Sequence, residues 1–111
     1  MKIIISENQE LDVKKKFIFM LLNNRNYALF EVENTRIYFV KDINSRNSEI
    51  RCDREDYWCG ISHHLITFFS KITGFRESEV KELIGIWVEH VLDVEIEKTN
   101  YFLPTNPLKN V

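Results

Sequence analysis

With 111 residues, 44% hydrophobic and 29% charged side chains, three Gly and two Pro, the chain is sized for one compact domain and is too apolar for a disordered or low-complexity segment. Its net charge of −2 conceals a split, with nine basic and five acidic residues from Lys14 to Arg54, and seven acidic residues against Lys81 alone from Glu77 to Glu97. That balance argues against a uniformly basic nucleic-acid domain, and two cysteines in a chain with an ample core provide no disulfide framework.

In chain order, Lys2 to Ile5 reads as a short strand rich in β-branched residues. Its three consecutive isoleucines fall far short of a secretory signal, and no later apolar run reaches the roughly 20 residues needed to span a bilayer, so a cytoplasmic protein without a membrane role is expected. Ser6-x-x-Gln9 has capping-box spacing and opens a helix that places Leu11, Ile18, Leu21 and Leu22 on one face, leaves Lys14, Lys15 and Lys16 solvated, and stops at Asn23-Asn24. A buried strand over Phe17 to Leu22 is the competing reading.

The opening Met1-Lys2-Ile3-Ile4-Ile5-Ser6-Glu7-Asn8-Gln9 resembles the start of small proteins encoded by tailed phages and by Bacteroidota. Phe68-Phe69-Ser70, followed by Ile84, Trp87, Val88 and Glu89, is similar to the closing helix of some of them. The resemblance implies a phage or mobile-element origin and brings no activity with it.

Tyr27 to Glu33 and Arg36 to Asp42 read as a hairpin closed by a tight turn at Asn34-Thr35, with Ala28, Phe30 and Val32 on the same face as Ile37 and Phe39. Asn44 to Ser48 is a loop, Glu49 to Cys52 a third strand, and Asp53 to Asp56 a turn. Ile61 to Ile72 reads as a helix burying Ile61, Leu65, Phe68, Phe69 and Ile72, capped by Ser62 or Gly60 and stopped by Thr73-Gly74. From Ser78 to Leu92 the residues Val80, Leu83, Ile84, Trp87, Val88, Val91 and Leu92 repeat at helical spacing, the clearest period in the chain. Val94 to Glu97 alternates as a last short strand, and from Thr99 the chain reads as an extended tail docked near Tyr101, Phe102 and Leu103. The expected fold is α+β, two main helices on a small, mostly antiparallel sheet, with a third helix if residues 9–22 are helical.

Cys52, Cys59, His63 and His64 supply the sulfur and imidazole ligands that Zn²⁺ prefers, but C-x6-C-x3-H-H lacks the short ligand pairs of a zinc turn, so no metal or cofactor is expected. Cys59 and His63 would make a thiolate–imidazole pair only inside one helix, and Gly60 is better placed to begin that helix than to sit within it. Asp53, Glu55 and Asp56 read as a solvated turn, and with no glycine-rich phosphate loop the chain offers no catalytic residues. Lys14, Lys15, Lys16, Arg25, Arg36, Lys41, Arg46, Arg51 and Arg54, with Tyr27, Tyr38 and Tyr57, are the ingredients of a stacking, cationic face, but interspersed acids dilute it and direct nucleic-acid binding is not expected.

What remains is binding. On the far side of the long helix Glu79, Glu82, Glu89 and Asp93 fall within about 80° of one another with Ile86 in their midst, an acidic stripe suited to a protein or nucleoprotein partner with a basic surface. Tyr57-Trp58, beside the acidic turn, is a second candidate contact. The expected function is a non-catalytic phage-type accessory protein that inhibits a host macromolecule, a defence nuclease or nucleoprotein. The alternatives are a virion component and a small nucleic-acid- or metal-binding module, and the oligomeric state is left open.

Overall fold

The computed structural model describes residues 7–33, 35–40 and 48–102. The expected strand at Lys2–Ile5, Ser6 of the capping box, Asn34, most of the Asn44–Ser48 loop and the tail from Leu103 lie outside the described residues. Among those described, the order is α1 (Glu7–Asn23), β1 (Ala28–Val32), β2 (Arg36–Val40), β3 (Ile50–Asp53), β4 (Trp58–Ser62), α2 (His63–Thr73), α3 (Glu77–Leu92) and β5 (Lys98–Phe102). The strands form one sheet in the order β1-β2-β3-β4-β5, antiparallel until β5, which runs parallel to β4. A parallel neighbour cannot follow through a tight turn, so α2 and α3 make the crossover. The α+β class is as expected, with all three helices present.

One face of the sheet supplies Ile37, Phe39, Ile50, Cys52, Cys59 and Ile61 to the core, and the helices supply Ile18, Leu22, Leu65, Ile66, Phe69, Val80, Leu83, Ile84, Trp87 and Val88. Lys14 of α1 meets Glu79 near the start of α3, and Asn23 meets Trp87 further along, so α1 and α3 run in the same direction. Leu11, level with the start of α3 and lining a shallow cleft with Glu10, Lys14 and Glu79, is half-exposed rather than buried with Ile18 and Leu22. Lys14, expected to be solvated, is bonded to Glu79 at 2.6 Å.

The hairpin differs from expectation by one residue. A two-residue turn at Asn34-Thr35 would place Phe30 opposite Phe39; instead Glu33 takes the left-handed conformation (φ 58°) and Val32 pairs with Arg36. A shift of one residue reverses every side chain on a strand. Ala28, Phe30 and Val32 therefore lie opposite Val40, Tyr38 and Arg36 on the outer face, and Leu29 and Glu31 share the helix side with Phe39 and Ile37.

Trp58 to Ser62 forms β4, so Ile61 is a strand residue and α2 begins only at His63. Gly60 falls inside that strand, whereas Ser62, its last residue, stands at the expected N-cap position of α2 without making a side-chain cap bond. In the shorter helix Leu65, Ile66 and Phe69 are buried, whereas Phe68 and Ile72 are half-exposed. Gly74, at φ 77°, is the expected helix stop, a left-handed position that glycine adopts without a steric penalty. Val94 to Glu97 is not a strand, and the last strand lies in what read as the tail.

Trp87 stands where α1, α3 and the sheet converge. Only 4% exposed, its ring lies 5.4 Å from Phe39 and 6.0 Å from Tyr27, centroid to centroid, and its Nε1–H donates to Asn23 Oδ1 at 3.0 Å. Trp87→Ala is expected to cost about 3–5 kcal/mol in urea denaturation, and Asn23→Ala about 1–2 kcal/mol because it strands the indole N–H. A Trp87→Ala protein melting within a few degrees of wild type would contradict this placement.

Candidate partner-binding groove

The five α3 positions expected to form an acidic stripe meet different fates. Glu79, at N3 of the helix, accepts the Lys14 ammonium at 2.6 Å and the Arg76 backbone N–H at 3.4 Å. Lys14 beside it holds the Glu79 carboxyl below the usual carboxylate range, and the pair joins α1 to α3. Asp93 is the left-handed C-cap at φ 52°, its N–H bonded to the Glu89 carbonyl. Glu82, Ile86 and Glu89 are brought together along one wall of a groove of about 290 Å³, whose other wall is Ile96, Glu97 and Thr99.

That second wall exists because the chain turns back along α3 after Asp93. Glu89 Oε2 accepts the Ile96 N–H at 3.1 Å, and the Tyr57 carbonyl accepts the N–H groups of Glu97 and Lys98 at 2.7 and 3.1 Å. The segment 94–97 is thereby held between α3 and the β3–β4 turn, linking the expected stripe to the Tyr57-Trp58 patch. Gly85 sets the spacing. A Cβ added there would lie 2.5 Å from Thr99 Cγ2, so only glycine lets the helix approach β5 this closely. Ile86 and Ile96 are partly buried against the core and form an apolar floor, while Glu82 and Glu97 are exposed. Together with Glu89 they give three carboxylates around that floor, an arrangement that can take the aliphatic stem and charged head of a lysine or arginine. The helical period located Glu82, Ile86 and Glu89; Ile96 and Glu97 were missed because their alternation resembled an edge strand, and Thr99 because it read as the start of an extended tail.

Of the second candidate patch, Tyr57 is half-exposed at φ 52°, and its carbonyl serves the backbone as described. Trp58 lies across Gly60, where an added Cβ would come within 2.4 Å of its Cη2. With the Asn100 amide turned to place its oxygen there, the indole N–H donates to it at 3.0 Å. Trp58 is thus laid flat on the outer sheet face, beside a cleft of about 180 Å³ lined by Arg36, Tyr38, Arg51, Cys52, Asp53 and Trp58.

The remaining candidates serve the fold. Cys52 and Cys59 are buried and directly opposite on β3 and β4 with sulfurs 3.7 Å apart, and the contact with Cys52 together with burial pushes the Cys59 thiol up. His63 does not reach Cys59; its Nε2 lies 3.6 Å from Glu77, in a polar cleft that also holds Ser78, Lys81 and Tyr101. No group of three His, Cys, Asp or Glu side chains is placed to hold a metal ion among the described residues. Asp53 accepts the N–H groups of Glu55 and Asp56 at 2.9 and 3.4 Å, so it orders its own turn.

The basic residues are divided in the same way. Arg25 forms a two-pronged pair with Glu49, Nε donating to Oε1 at 3.0 Å and Nη2 to Oε2 at 2.6 Å, against Tyr27, Phe68 and Phe69. Arg36 faces Asp53, Arg54 faces Glu31, and Arg51 stacks on Phe102 at 4.2 Å. Tyr27 is packed against Phe39 and Trp87 rather than presented for stacking. Comparison with protein-family models, curated proteins and solved structures yields no match for this chain.

The close approach at Gly85 is open to a double-mutant cycle. In an unobstructed helix Gly→Ala stabilises by about 1 kcal/mol, but here the new methyl meets Thr99, so Gly85→Ala should destabilise the protein. Adding Thr99→Ser removes the opposing methyl and should recover much of the loss. Strictly additive stabilities across the four proteins would show that helix and strand do not touch at this point.

Proposed function

We propose that this chain is a non-catalytic accessory protein, of the kind carried by tailed phages, which binds a basic segment of a host protein or nucleoprotein and inhibits it by occupying that segment. The observation that carries the reading is the convergence of Glu82, Glu89 and Glu97 around the Ile86–Ile96 floor. The acidic excess from Glu77 to Glu97 favours the same partner chemistry, since a field of one sign raises the encounter rate with the opposite sign. The resemblance of residues 1–9 supports the phage setting and, with it, a host cytoplasm as the place of action. Among the described residues no helix is long and apolar enough to cross a membrane.

The probe is a lysine- and arginine-rich peptide, followed by any partner recovered from host extract. Affinity should fall as salt rises, because the contact is between partly exposed charges. Glu82→Lys with Glu97→Lys should weaken binding by at least about tenfold, equivalent to about 1.4 kcal/mol, while the melting temperature stays close to wild type because both side chains are exposed. Equal affinity of wild type and double variant for the peptide would remove the groove from consideration.

A further inference from the structure

We infer that β1 is a self-pairing edge, through which two copies of this chain join their sheets in an antiparallel β1–β1 contact centred on Phe30. Among the described residues β1 ends the sheet, and none of its side chains joins the buried core or packs directly on it. Leu29 and Phe30, on opposite faces of the strand, are 51% and 48% exposed, so the strand is open on both faces, and no other described strand pairs with its outer edge. Exposed apolar surface continues on the helix side into a cleft of about 240 Å³, bordered by Leu29, Tyr27, Phe39, Trp87 and the half-exposed Val91.

The hydrogen-bond parity identifies which backbone groups are free. Arg54 N–H donates to the Thr35 carbonyl at 2.8 Å and Glu49 N–H to that of Phe39 at 3.0 Å, so the odd-numbered residues leading into and along β2 point their peptide groups at β3. The even-numbered residues Arg36, Tyr38 and Val40 point theirs at β1, to Val32, Phe30 and Ala28. Leu29 and Glu31 are left with their N–H and C=O groups facing outward. Natural edge strands are commonly protected by charged residues, proline or a bulge; Ala-Leu-Phe-Glu-Val has Glu31 alone, which faces the helix side and is paired with Arg54. The opposite edge, β5, begins with Lys98 and carries Asn100.

This parity is self-complementary under a two-fold rotation. With Phe30 on the axis, Leu29 of each copy exchanges both backbone bonds with Glu31 of the other, and all five residues pair. The two Phe30 rings then meet at a pair with no backbone bonds between them, where opposed side chains come closest. Shifting the centre to Glu31 sets the two carboxylates against each other, and shifting it to Leu29 loses the Val32 pairing. The left-handed residues Asn26 and Glu33 bound the strand at both ends, which limits sliding.

The inference is independent of the groove reading, because β1 and β5 are the two opposite edges of the sheet. The test is light scattering of the full chain through a hundredfold dilution series, combined with residue-resolved amide hydrogen exchange. Wild type should be a dimer that dissociates on dilution. The Leu29 and Glu31 amides should be protected only in the dimer, while that of Phe30 is protected at every concentration. Phe30→Lys places like charges on the axis and should raise the dimer dissociation constant by at least about tenfold without altering binding of the basic peptide. A wild-type monomer throughout the series, a dimer in which the Leu29 and Glu31 amides exchange freely, or a dimer indifferent to Phe30→Lys would each overturn the assignment.

Discussion

The close contact between α3 and β5 at Gly85 is the constraint on which the rest of the arrangement depends. A parallel strand added to β4 must be reached by a crossover, and the crossover helix must then lie against the strand it delivers. Glycine in a helix interior costs roughly 0.5–1 kcal/mol relative to alanine, and here that cost is offset by bringing the helix within contact of Thr99. A bulkier residue would lift α3 away from β5, separating Glu89 from the Ile96 N–H and Ile86 from Ile96. The groove is therefore a product of backbone approach as much as of its carboxylates.

The charged residues show why a count of charges says little about a surface. Lys14 with Glu79, Arg25 with Glu49, Arg36 with Asp53 and Arg54 with Glu31 are all internal pairs, each joining segments distant in the chain or neighbouring strands. Arg25–Glu49 is the most enclosed of them, with side chains 16% and 24% exposed, and it sits against aromatic rings that would make an unpaired charge costly. Among the described residues every buried side-chain nitrogen or oxygen has a hydrogen-bond partner, so the core is polar only where it can satisfy itself. Glu82 and Glu97 at the groove, by contrast, stay exposed.

Much of the framework was legible in advance. The period through Val80, Leu83, Ile84, Trp87 and Val88 located α3 and its buried side, because helical geometry repeats locally and burial follows it. Gly74 as a stop, the existence of a β1–β2 hairpin and a third strand near Cys52 were likewise readable from local chemistry. The faces of the hairpin were not, since one residue in a turn reverses a strand and Glu33 in the left-handed region carries no strong sequence signal. The strand Trp58–Ser62 was not read, and its last residues Ile61 and Ser62 were taken into the following helix, because a five-residue strand joined directly to a helix presents no turn between them.

The sequence by itself determined the α+β class, the long core helix, the segregation of acidic residues toward the C-terminal half and the absence of a recognisable reaction motif, because composition and short-range periodicity encode these directly. Only the tertiary structure decided which carboxylates stay available, that Glu89 and Tyr57 hold one returning segment, that Cys52 and Cys59 face each other in the core, and that β1 is an edge among the described strands. Each of these depends on pairing between separate segments, some seven residues apart, as in Cys52 with Cys59 and Glu89 with Ile96, and some far apart, as in Tyr57 with Glu97. Such pairing is set by strand register and helix approach, which no local pattern of side chains specifies.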